Sequence, residues 1–160
     1  MVAAARRAIV PLAGIEGARR LWVRNGLGRA TEAMLDAAPQ TLRDHGFVVL
    51  RLLWPLPVGE GALAPTDPFA GSPGFALGYP ASADAAPAWP ALHAGFLGGA
   101  LVGPAGRDGA RRLGIELPPG LVGGPVFDAA GRLAGESMPG RTGEASLLPA
   151  SLIREVAQTV

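Results

Sequence analysis

The stretch 119-PGLVGGPVFDAAGRLAGESMPG-140 contains a glycine-flanked turn, a short apolar strand, a second tight turn and another strand. We predict the strands at residues 125–128 and 132–138, with the second turn at residues 129–131. The glycines and the proline suit tight turns and a close approach of two strands, because glycine tolerates backbone conformations that other residues avoid. The first turn carries Val122, an aliphatic residue that can neither attack a substrate nor transfer a proton.

The composition indicates an all-β protein. The chain has 160 residues, enough for one domain or for two small lobes that share a core. Glycine and proline, with 24 and 16 residues, make up a quarter of the chain, and 49% of its residues are hydrophobic. The apolar content argues against disorder. Many short segments joined by Gly/Pro turns favour strands over helices.

The charge and the rare residue types exclude several functional classes. The net charge is +1 and all 14 basic residues are scattered arginines, so we expect no nucleic-acid or membrane-surface partner. The chain has no Cys, and His45 and His93 are isolated, so we expect no disulfide, metal site or cofactor. No apolar run approaches the roughly 20 residues of a membrane span. Residues 8–15 favour a strand over a signal peptide, and the composition leaves the compartment open.

Hydrophobic periodicity predicts a series of short strands. The pair Asn25-Gly26 is a strong hairpin signal, and the apolar run at residues 47–53 indicates a buried strand. Residues 29–37 fit a strand or a helix. The other predicted strands are residues 8–12, 20–23, 74–80, 92–103, 109–117 and 144–148. A barrel bulge would suit Gly95, Gly98 and Gly99.

The segment after residue 53 is too rich in proline and glycine for a helix or a central strand. We therefore predict an N-terminal β-barrel lobe at residues 1–56, a linker at 57–73 and a C-terminal β-barrel lobe at 74–160. Residues 149–160 are predicted to form a closing helix that begins near Pro149.

Three tryptophans are the largest apolar anchors of the chain. Trp54 and Trp89 flank proline, which predicts partial exposure for both, whereas no such signal marks Trp22. Packing in the core or the linker is the favoured interpretation, with a protein interface as the alternative.

The segment 120-GLVGGPVFDAAGRLAG-135 resembles the active-site loop of trypsin-like serine peptidases. The family pattern is G-x-S-G-G-P-[V/L]-F-[D/N]-x-x-G-x-L-x-G, and every fixed position matches except the serine, which is Val122. Two weaker matches follow the order that the family predicts. The segment 46-GFVVLRL-52 resembles the strand that begins with the family's Asp, and Gly46 takes that place. The segment 10-VPLAGIEGA-18 resembles the segment that carries the family's His, and Ala13 takes that place.

Residues 57–80 and the end 147-LLPASLIREV-156 resemble the bacterial HtrA-like members, so the resemblance covers nearly the whole chain. It implies an all-β, trypsin-like double β-barrel with a C-terminal helix. The family has about two strands before its His segment, whereas only residues 1–7 precede it here, so we expect an incomplete first barrel or a truncated start. The resemblance also suggests a cell-envelope or periplasmic location.

The substitutions imply that peptidase chemistry is lost. A catalytic triad needs a hydroxyl to attack, an imidazole to accept its proton and a carboxylate to orient the imidazole. None of these groups is present at Val122, Ala13 or Gly46. Loss of one triad member typically lowers kcat by about 10⁴-fold or more.

Neighbouring residues do not replace the missing groups in this interpretation. A slip that put Asp44 in the triad would turn residues 48–50 to the wrong face of their strand. Ser137 is expected on the strand that lines the specificity pocket, and His93 belongs to another strand.

A binding function remains compatible with the resemblance. The backbone N–H groups of Gly120 and Val122 would form the family's oxyanion hole, and residues 136–139 would be the edge that accepts an extended peptide. The peptide-binding candidates are Gly120, Val122, Gly123, Glu136, Ser137 and Met138. Pro139 lacks an N–H group and would shorten the ladder. Glu116, Glu136 and Glu144 are candidates for an acidic cluster, which we do not interpret as a metal site.

The sequence therefore predicts a catalytically inactive trypsin-like protein that binds a protein or peptide in a regulatory or scaffold role. One alternative is a structural subunit with a closed groove that forms an oligomer. A second alternative is a divergent serine-type hydrolase, which would need a perturbed titratable pair in a pocket.

Overall fold

A computed structural model describes residues 2–4, 6–57, 61–79, 90–101, 109–118, 121–139 and 144–158, with the backbone alone at 2–4 and 156–158. The chain forms two compact units. We call residues 1–61 with 155–160 the sheet unit, and residues 62–154 the barrel unit. The predicted domain boundaries at residues 56 and 74 stay predictions.

The described strands of the sheet unit form one antiparallel five-stranded sheet with the order β1-β2-β5-β4-β3. Its strands are β1 (Val2–Ala4), β2 (Arg7–Pro11), β3 (Leu21–Arg24), β4 (Ala30–Asp36) and β5 (Phe47–Leu52). A 3-10 turn at Leu12–Gly14 follows β2, and the short helix α1 (Gln40–Asp44) precedes β5. This open sheet confirms the expectation of an incomplete first barrel.

The turn between β3 and β4 is built around Asn25. Its side-chain Oδ1 accepts hydrogen bonds from the backbone N–H groups of Leu27 at 3.1 Å and Arg29 at 3.0 Å. Its Nδ2 donates to the carbonyl of Pro57 at 3.0 Å. The hairpin predicted from the Asn-Gly pair is confirmed. The strand-or-helix ambiguity of residues 29–37 is resolved as a strand, since Ala30–Asp36 pairs with β3 on one side and with β5 on the other.

The barrel unit contains a closed six-stranded barrel with the order β10-β11-β8-β7-β6-β9. Its strands are β6 (Ser72–Gly78), β7 (Ala91–Ala100), β8 (Arg111–Gly114), β9 (Pro125–Asp128), β10 (Leu133–Pro139) and β11 (Ala145–Pro149). Helix α2 (Ala150–Gln158) follows directly, so Pro149 ends a strand and does not begin the helix as predicted. The predicted fold class is confirmed.

The barrel interior is filled by small and aliphatic side chains: Ala76, Leu97, Leu113, Ile115, Val126, Ala134 and Leu147. A Cβ atom on Gly74 would lie 2.6 Å from the Leu97 side chain, so the inner face of β6 needs glycine there. The register of β7 against β8 shifts between Leu97 and Ala100. This shift confirms the bulge predicted from the glycines of that strand.

Part of the predicted linker is hydrogen-bonded into the barrel unit. The N–H of Ala64 donates to the carbonyl of Leu133 at 2.9 Å, and the N–H of Leu133 donates to the carbonyl of Ala62 at 2.9 Å. The carboxylate of Asp67 accepts hydrogen bonds from the N–H of Ser151 at 3.3 Å and from its hydroxyl at 2.9 Å. Asp67 therefore satisfies a donor in the first turn of α2.

The exposure predicted for Trp54 is confirmed, whereas core packing is wrong for Trp22. Trp22 is 63% exposed and Trp54 is 67% exposed, so neither packs in a core. Trp22 lies on β3, which is an edge of the sheet and has no further described strand to cover it. Trp89 lies outside the described residues.

Among the residues that the structure describes, no helix has the length and the apolar character needed to cross a lipid bilayer.

Candidate functional site: the loop at residues 121–124 and its cavity

Ser137 on β10 holds the loop at residues 121–124 through main-chain bonds. The N–H of Gly123 donates to the carbonyl of Ser137 at 2.8 Å, and the N–H of Ser137 donates to the carbonyl of Gly124 at 2.9 Å. These two bonds continue the pairing of β9 with β10 into the loop. The loop is thus a structural extension of the barrel wall.

The hydroxyl of Ser137 adds a second set of contacts to the same loop. Its Oγ lies 3.1 Å from the carbonyl of Leu121 and 3.2 Å from that of Gly124, and one of these accepts its proton. The same Oγ accepts a hydrogen bond from the N–H of Gly124 at 3.2 Å. Ser137 is fully buried. Its position fits a structural clamp and offers no accessible nucleophile.

The two glycines of the loop are needed for different reasons. Gly123 has φ of +92°, a conformation that side chains with a Cβ rarely adopt. Gly124 has no such restriction, but a Cβ atom there would lie 2.3 Å from the carbonyl oxygen of Leu77. Both glycines therefore meet backbone requirements that do not involve catalysis.

Leu121 anchors the loop from the apolar side. It is buried, and a Cβ atom on Gly78 would lie 2.2 Å from its Cδ2 atom. Leu121 thus occupies the space that Gly78 leaves open at the end of β6. The next residue, Val122, is 38% exposed. Its isopropyl group is the part of the loop that a ligand can reach.

Val122 forms part of the wall of a cavity of about 700 Å³ in the barrel unit. The cavity is within the size range of small-ligand sites, about 300–1,000 Å³. Its lining residues are Arg112, Leu113, Gly114, Ile115, Glu116, Leu117, Val122, Pro139, Glu144 and Ala145. The predicted nucleophile position therefore opens onto a space that could receive a side chain.

The wall of the cavity contains more acidic than basic side chains. Glu116 and Glu144 contribute two carboxylates and Arg112 contributes one guanidinium. Such a set favours a ligand group that donates hydrogen bonds or carries positive charge. Two members of the predicted acidic cluster thus line one cavity, whereas Glu136 is not among its lining residues. Among the described residues, no group of His, Cys, Asp or Glu side chains is arranged to hold a metal ion.

Glu136 is completely buried. Burial in a medium that solvates charge poorly raises the pKa of Glu136 to about 8. The carboxyl group is therefore mostly protonated at neutral pH. A buried, neutral acid does not serve as an accessible peptide-binding group.

Few backbone hydrogen-bonding groups at the edge of β10 are available to pair with an added strand. Glu136 is paired with Pro125 of β9, and the N–H and carbonyl of Ser137 are bonded to the loop. Because backbone groups alternate in direction along a strand, Pro139 points to the same side as Ser137. It has no N–H, so it supplies one acceptor. Met138 is buried and pairs with Ser146 of β11.

The turn between β9 and β10 is organised by Asp128. Its Oδ1 accepts hydrogen bonds from the N–H groups of Ala130 and Arg132, both at 2.9 Å, and its Oδ2 accepts one from Nε of Arg132 at 2.8 Å. Burial acts to raise the pKa of Asp128, but the hydrogen bonds from Arg132 and Ala130 hold it below its usual value. Asp128 thus stabilises the turn predicted at residues 129–131 by accepting hydrogen bonds from the backbone that follows it.

The two triad positions that the resemblance predicts for the sheet unit, Ala13 and Gly46, lie on adjacent segments. Ala13 is exposed in the 3-10 turn after β2, and Gly46 precedes β5, with Pro11 and Phe47 directly paired. The N–H of Leu12 donates to the carbonyl of Gly46 at 2.8 Å. The relation of these positions to Val122 stays a prediction, because Val122 belongs to the barrel unit.

The backbone conformation at position 46 explains why a glycine is found there. Gly46 follows α1 with φ of +76°, and its N–H donates to the carbonyl of Arg43 at 2.8 Å. This is the left-handed residue that commonly ends a helix. An aspartate at this position would adopt that conformation less readily than glycine.

The other polar candidates near Gly46 have local partners. His45 is buried, and its Nδ1 lies 2.7 Å from the carbonyl of Thr41. Asp44 accepts a hydrogen bond from Nε2 of Gln40 at 2.7 Å. His93 lies on β7 opposite Ala76. Gly120, the remaining predicted candidate, lies outside the described residues.

Sequence reasoning did not find the cavity walls. Leu117 and Arg112 line the cavity, and neither belongs to a recognisable motif. Their contribution depends on the closure of β8 beside β11, which sequence periodicity does not specify. The role of Leu121 as an anchor is likewise visible only once Gly78 is placed beside it.

No protein-family model matches the chain, and no curated protein matches it. Solved structures do. The MamO protease domain from Magnetospirillum magneticum in its apo form matches with a TM-score of 0.71 and 20% identity, covering 96% of this chain and 84% of that one. An inactive serine-to-alanine mutant of Rv3671c from M. tuberculosis H37Rv matches with a TM-score of 0.76 and 18% identity, covering 100% and 79%.

A serine endoprotease from Yersinia pestis matches with a TM-score of 0.72 and 18% identity, covering 97% of this chain and 53% of that one. At this level of identity the similarity concerns the fold. The chain therefore has the fold of the trypsin-like serine proteases.

Proposed function

We propose that this protein is a catalytically inactive trypsin-fold module that binds a segment of another protein or peptide through the cavity beside Val122. The observation that carries the proposal is the cavity of about 700 Å³ with Val122 in its wall. A space of this size accommodates an amino-acid side chain, and concave sites with a few polar groups are typical binding sites.

The proposed loss of catalysis rests on three positions and their local roles. Val122, Ala13 and Gly46 carry no hydroxyl, imidazole or carboxylate. Gly46 fits the end of α1 through its positive φ. Ser137, which lies beside the loop, is buried and its hydroxyl contacts the carbonyls of Leu121 and Gly124. These features support inactivity, because none supplies an activated nucleophile.

The contacts of β10 favour an anchored side chain over a long added strand. Ser137 already uses its main-chain groups in the barrel, and Pro139 supplies one carbonyl. Most of the binding free energy would then come from the side chain in the cavity. With Glu116 and Glu144 in its wall, the cavity favours a basic or hydrogen-bond-donating side chain.

Binding of the purified chain to an array of extended peptides tests this proposal. We expect peptides with Arg or Lys at one position to bind better than their Leu or Glu counterparts. Val122→Trp fills the cavity from a position without positive φ and should abolish binding. The matched control is Met34→Trp, at an exposed position of the sheet unit.

A second variant separates occlusion from misfolding. The exposed pair Glu116→Lys and Glu144→Lys reverses the charge of the cavity and should shift the preference from basic to acidic peptides. Equal binding by the parent chain and Val122→Trp would refute the cavity as the site.

A fluorophosphonate probe, which labels activated serines, tests the loss of catalysis separately. We expect no covalent adduct by mass spectrometry, with an active trypsin as the positive control. An adduct on any serine of this chain would support the divergent-hydrolase alternative.

A further inference from the structure

The two units share one plan of strand pairing. In the barrel unit β7 pairs with β8, β8 with β11, β11 with β10 and β10 with β9, and β6 pairs with both β7 and β9 to close the ring. In the sheet unit β1, β2, β5, β4 and β3 repeat the first four of these pairings in the same chain order. No described strand of the sheet unit takes the place that β6 holds in the barrel.

The strand directions explain what would fit in that place. All four pairings of the sheet unit are antiparallel, so its two edge strands, β1 and β3, run in the same direction. They cannot pair antiparallel with each other. One strand of the opposite direction can pair antiparallel with both, as β6 does with β7 and β9. The gap between β1 and β3 therefore suits a single added strand.

The open edge of β3 presents main-chain donors and acceptors. Trp22 lies opposite Glu32, whose carbonyl accepts a hydrogen bond from the N–H of Leu53 at 2.9 Å on the side of β5. The Trp22–Glu32 pair is therefore a non-hydrogen-bonded pair, and the N–H and carbonyl of Trp22 point away from β4. Arg24, two residues further along, has the same orientation. Each of these two residues thus offers one N–H and one carbonyl to an added strand.

The inner face of β3 is covered less completely than that of its counterpart in the closed barrel. Leu21 and Val23 pack against the core cluster of the sheet unit but are only half-buried. Val126 of β9 is completely buried, and Ala76 of β6 lies beside it. Apolar side chains on an added strand would cover Leu21 and Val23 in the same way.

The outward side chains of β3 determine the chemistry of the strand that fits. Trp22 and Arg24 are exposed on the face opposite to Leu21 and Val23, and exposed Arg20 directly precedes the strand. Outward side chains of an added strand would lie directly opposite these residues. The guanidinium groups favour carboxylates there. The complementary strand therefore alternates acidic residues on its outer face with apolar residues on its inner face.

We propose that the gap between β1 and β3 is a second binding site, which accepts an extended segment of a partner protein with alternating apolar and acidic residues. The added strand pairs with the main chain of Trp22 and Arg24 and completes a six-stranded order like that of the barrel unit. Because this pairing uses main-chain groups, it requires a polypeptide and discriminates against other polyanions. The site is independent of the cavity beside Val122, which belongs to the barrel unit.

Fluorescence anisotropy with a capped peptide of alternating Val and Glu, about nine residues long, tests the proposal on the full chain. The control peptide has the same composition, with all its Val residues in one block and all its Glu residues in another. We expect the alternating peptide to bind and the block peptide not to bind. Val122→Trp, which fills the cavity, should leave the dissociation constant of the alternating peptide unchanged, so failure of the proposed function is distinguishable from failure of this site.

A matched pair of variants isolates the main chain of the open edge. Trp22→Pro removes the outward N–H, and an edge strand tolerates proline at such a position. Trp22→Ala loses the same ring but keeps the N–H. We expect the dissociation constant of Trp22→Pro to exceed that of Trp22→Ala about tenfold. The exposed pair Arg20→Glu and Arg24→Glu should shift the preference to a peptide of alternating Val and Arg.

Hydrogen exchange locates the added strand. The alternating peptide should slow exchange at the N–H groups of Trp22 and Arg24, whereas Val23, whose N–H points to β4, should not change. No binding of the alternating peptide, or equal binding of the block peptide, would overturn the proposal. So would equal dissociation constants for Trp22→Pro and Trp22→Ala, or unchanged exchange at Trp22 in the complex.

Discussion

The barrel unit and the sheet unit differ in whether their sheets have free edge strands. The six strands of the barrel unit close on themselves, which leaves no free edge in that sheet. The described sheet of the other unit ends at β1 and β3, and both are short. In the barrel the residues shared with the peptidase pattern maintain closure. In the sheet unit the positions predicted to match the peptidase pattern, Ala13 and Gly46, lie in connections between elements.

This difference explains why one half of the resemblance is stronger than the other. Gly123 is constrained by its φ of +92°, Gly124 by the lack of space for a Cβ atom, and Ser137 by the polar contacts of its hydroxyl, all without catalysis. Ala13 is exposed and meets no comparable requirement. The barrel loop therefore has several backbone and steric requirements, whereas in the sheet unit Gly46 has one, its φ of +76°.

The largest expected effect concerns the buried carboxyl of the barrel unit. The pKa of Glu136 is about 8 in the folded chain and near 4.5 in the unfolded chain. Between these values the unfolded state releases a proton that the folded state retains. The stabilising contribution is complete below pH 4.5 and is lost as the pH rises through 8.

We expect the free energy of unfolding to fall by up to about 1.4 kcal/mol per pH unit within this window. Glu136→Gln should flatten the profile and be the more stable form at pH 8. Urea denaturation at several pH values measures both. An unchanged slope in the variant would show that another group controls the pH dependence.

The second-largest effect distinguishes a glycine that is needed because a Cβ atom would not fit from one that is needed because of its positive φ. Gly124→Ala places a Cβ atom 2.3 Å from the backbone carbonyl of Leu77, so strand β6 has to move. We expect a loss of about 3 kcal/mol in the free energy of unfolding, at the upper end for overpacking. Thermal unfolding followed by circular dichroism measures it. A loss below that of the sheet-unit variant Gly46→Ala would contradict the stronger constraint assigned to the barrel.

Ser137→Ala tests the clamp without changing backbone geometry. It removes the hydroxyl that contacts Leu121 and Gly124 and leaves a buried N–H without its side-chain acceptor. We expect a loss of about 2 kcal/mol, with faster hydrogen exchange at residues 121–124. Ser146→Ala, at another buried serine of the barrel unit, is the comparison. Unaltered exchange in the loop would argue against a clamp.

The smallest effect is expected at Gly46. A Cβ atom there meets nothing within 4 Å, so the strain of its φ of +76° is the only cost. Gly46→Ala should lower the free energy of unfolding by about 1 kcal/mol, as measured by urea denaturation. Gly46→Asn, which tolerates the left-handed region better, should lose less. Equal losses in the two variants would point to a cause other than φ.

The positions of many strands along the chain were predictable, because local sequence signals agree with the fold. The apolar run of β5 and the Asn-Gly turn before β4 specify their structure locally. Helix α1 was not predicted. It has five residues and no side-chain cap, and Leu42 is its buried residue, so its stability comes from tertiary packing.

The sequence predicted the loop of the candidate site but did not predict the cavity beside it. The motif around Val122 predicts the turn, because Gly123 and Gly124 are needed there by the backbone itself. The cavity depends on the pairing of β8 with β11, a contact between strands far apart in sequence that no local motif specifies. The exposure of Trp22 also depends on a global property, the absence of a further described strand beside β3.

The Asn25 turn carries a consequence for the ageing of the protein. An Asn-Gly sequence is prone to deamidation, in which the nitrogen of Gly26 attacks the side-chain carbonyl of Asn25 and ammonia leaves. Here Oδ1 is held by Leu27 and Arg29 and Nδ2 by Pro57, so the attack requires the turn to open first. The rate of ammonia loss from Asn25 therefore depends on how often the turn opens, and it can be used to follow that opening over long times.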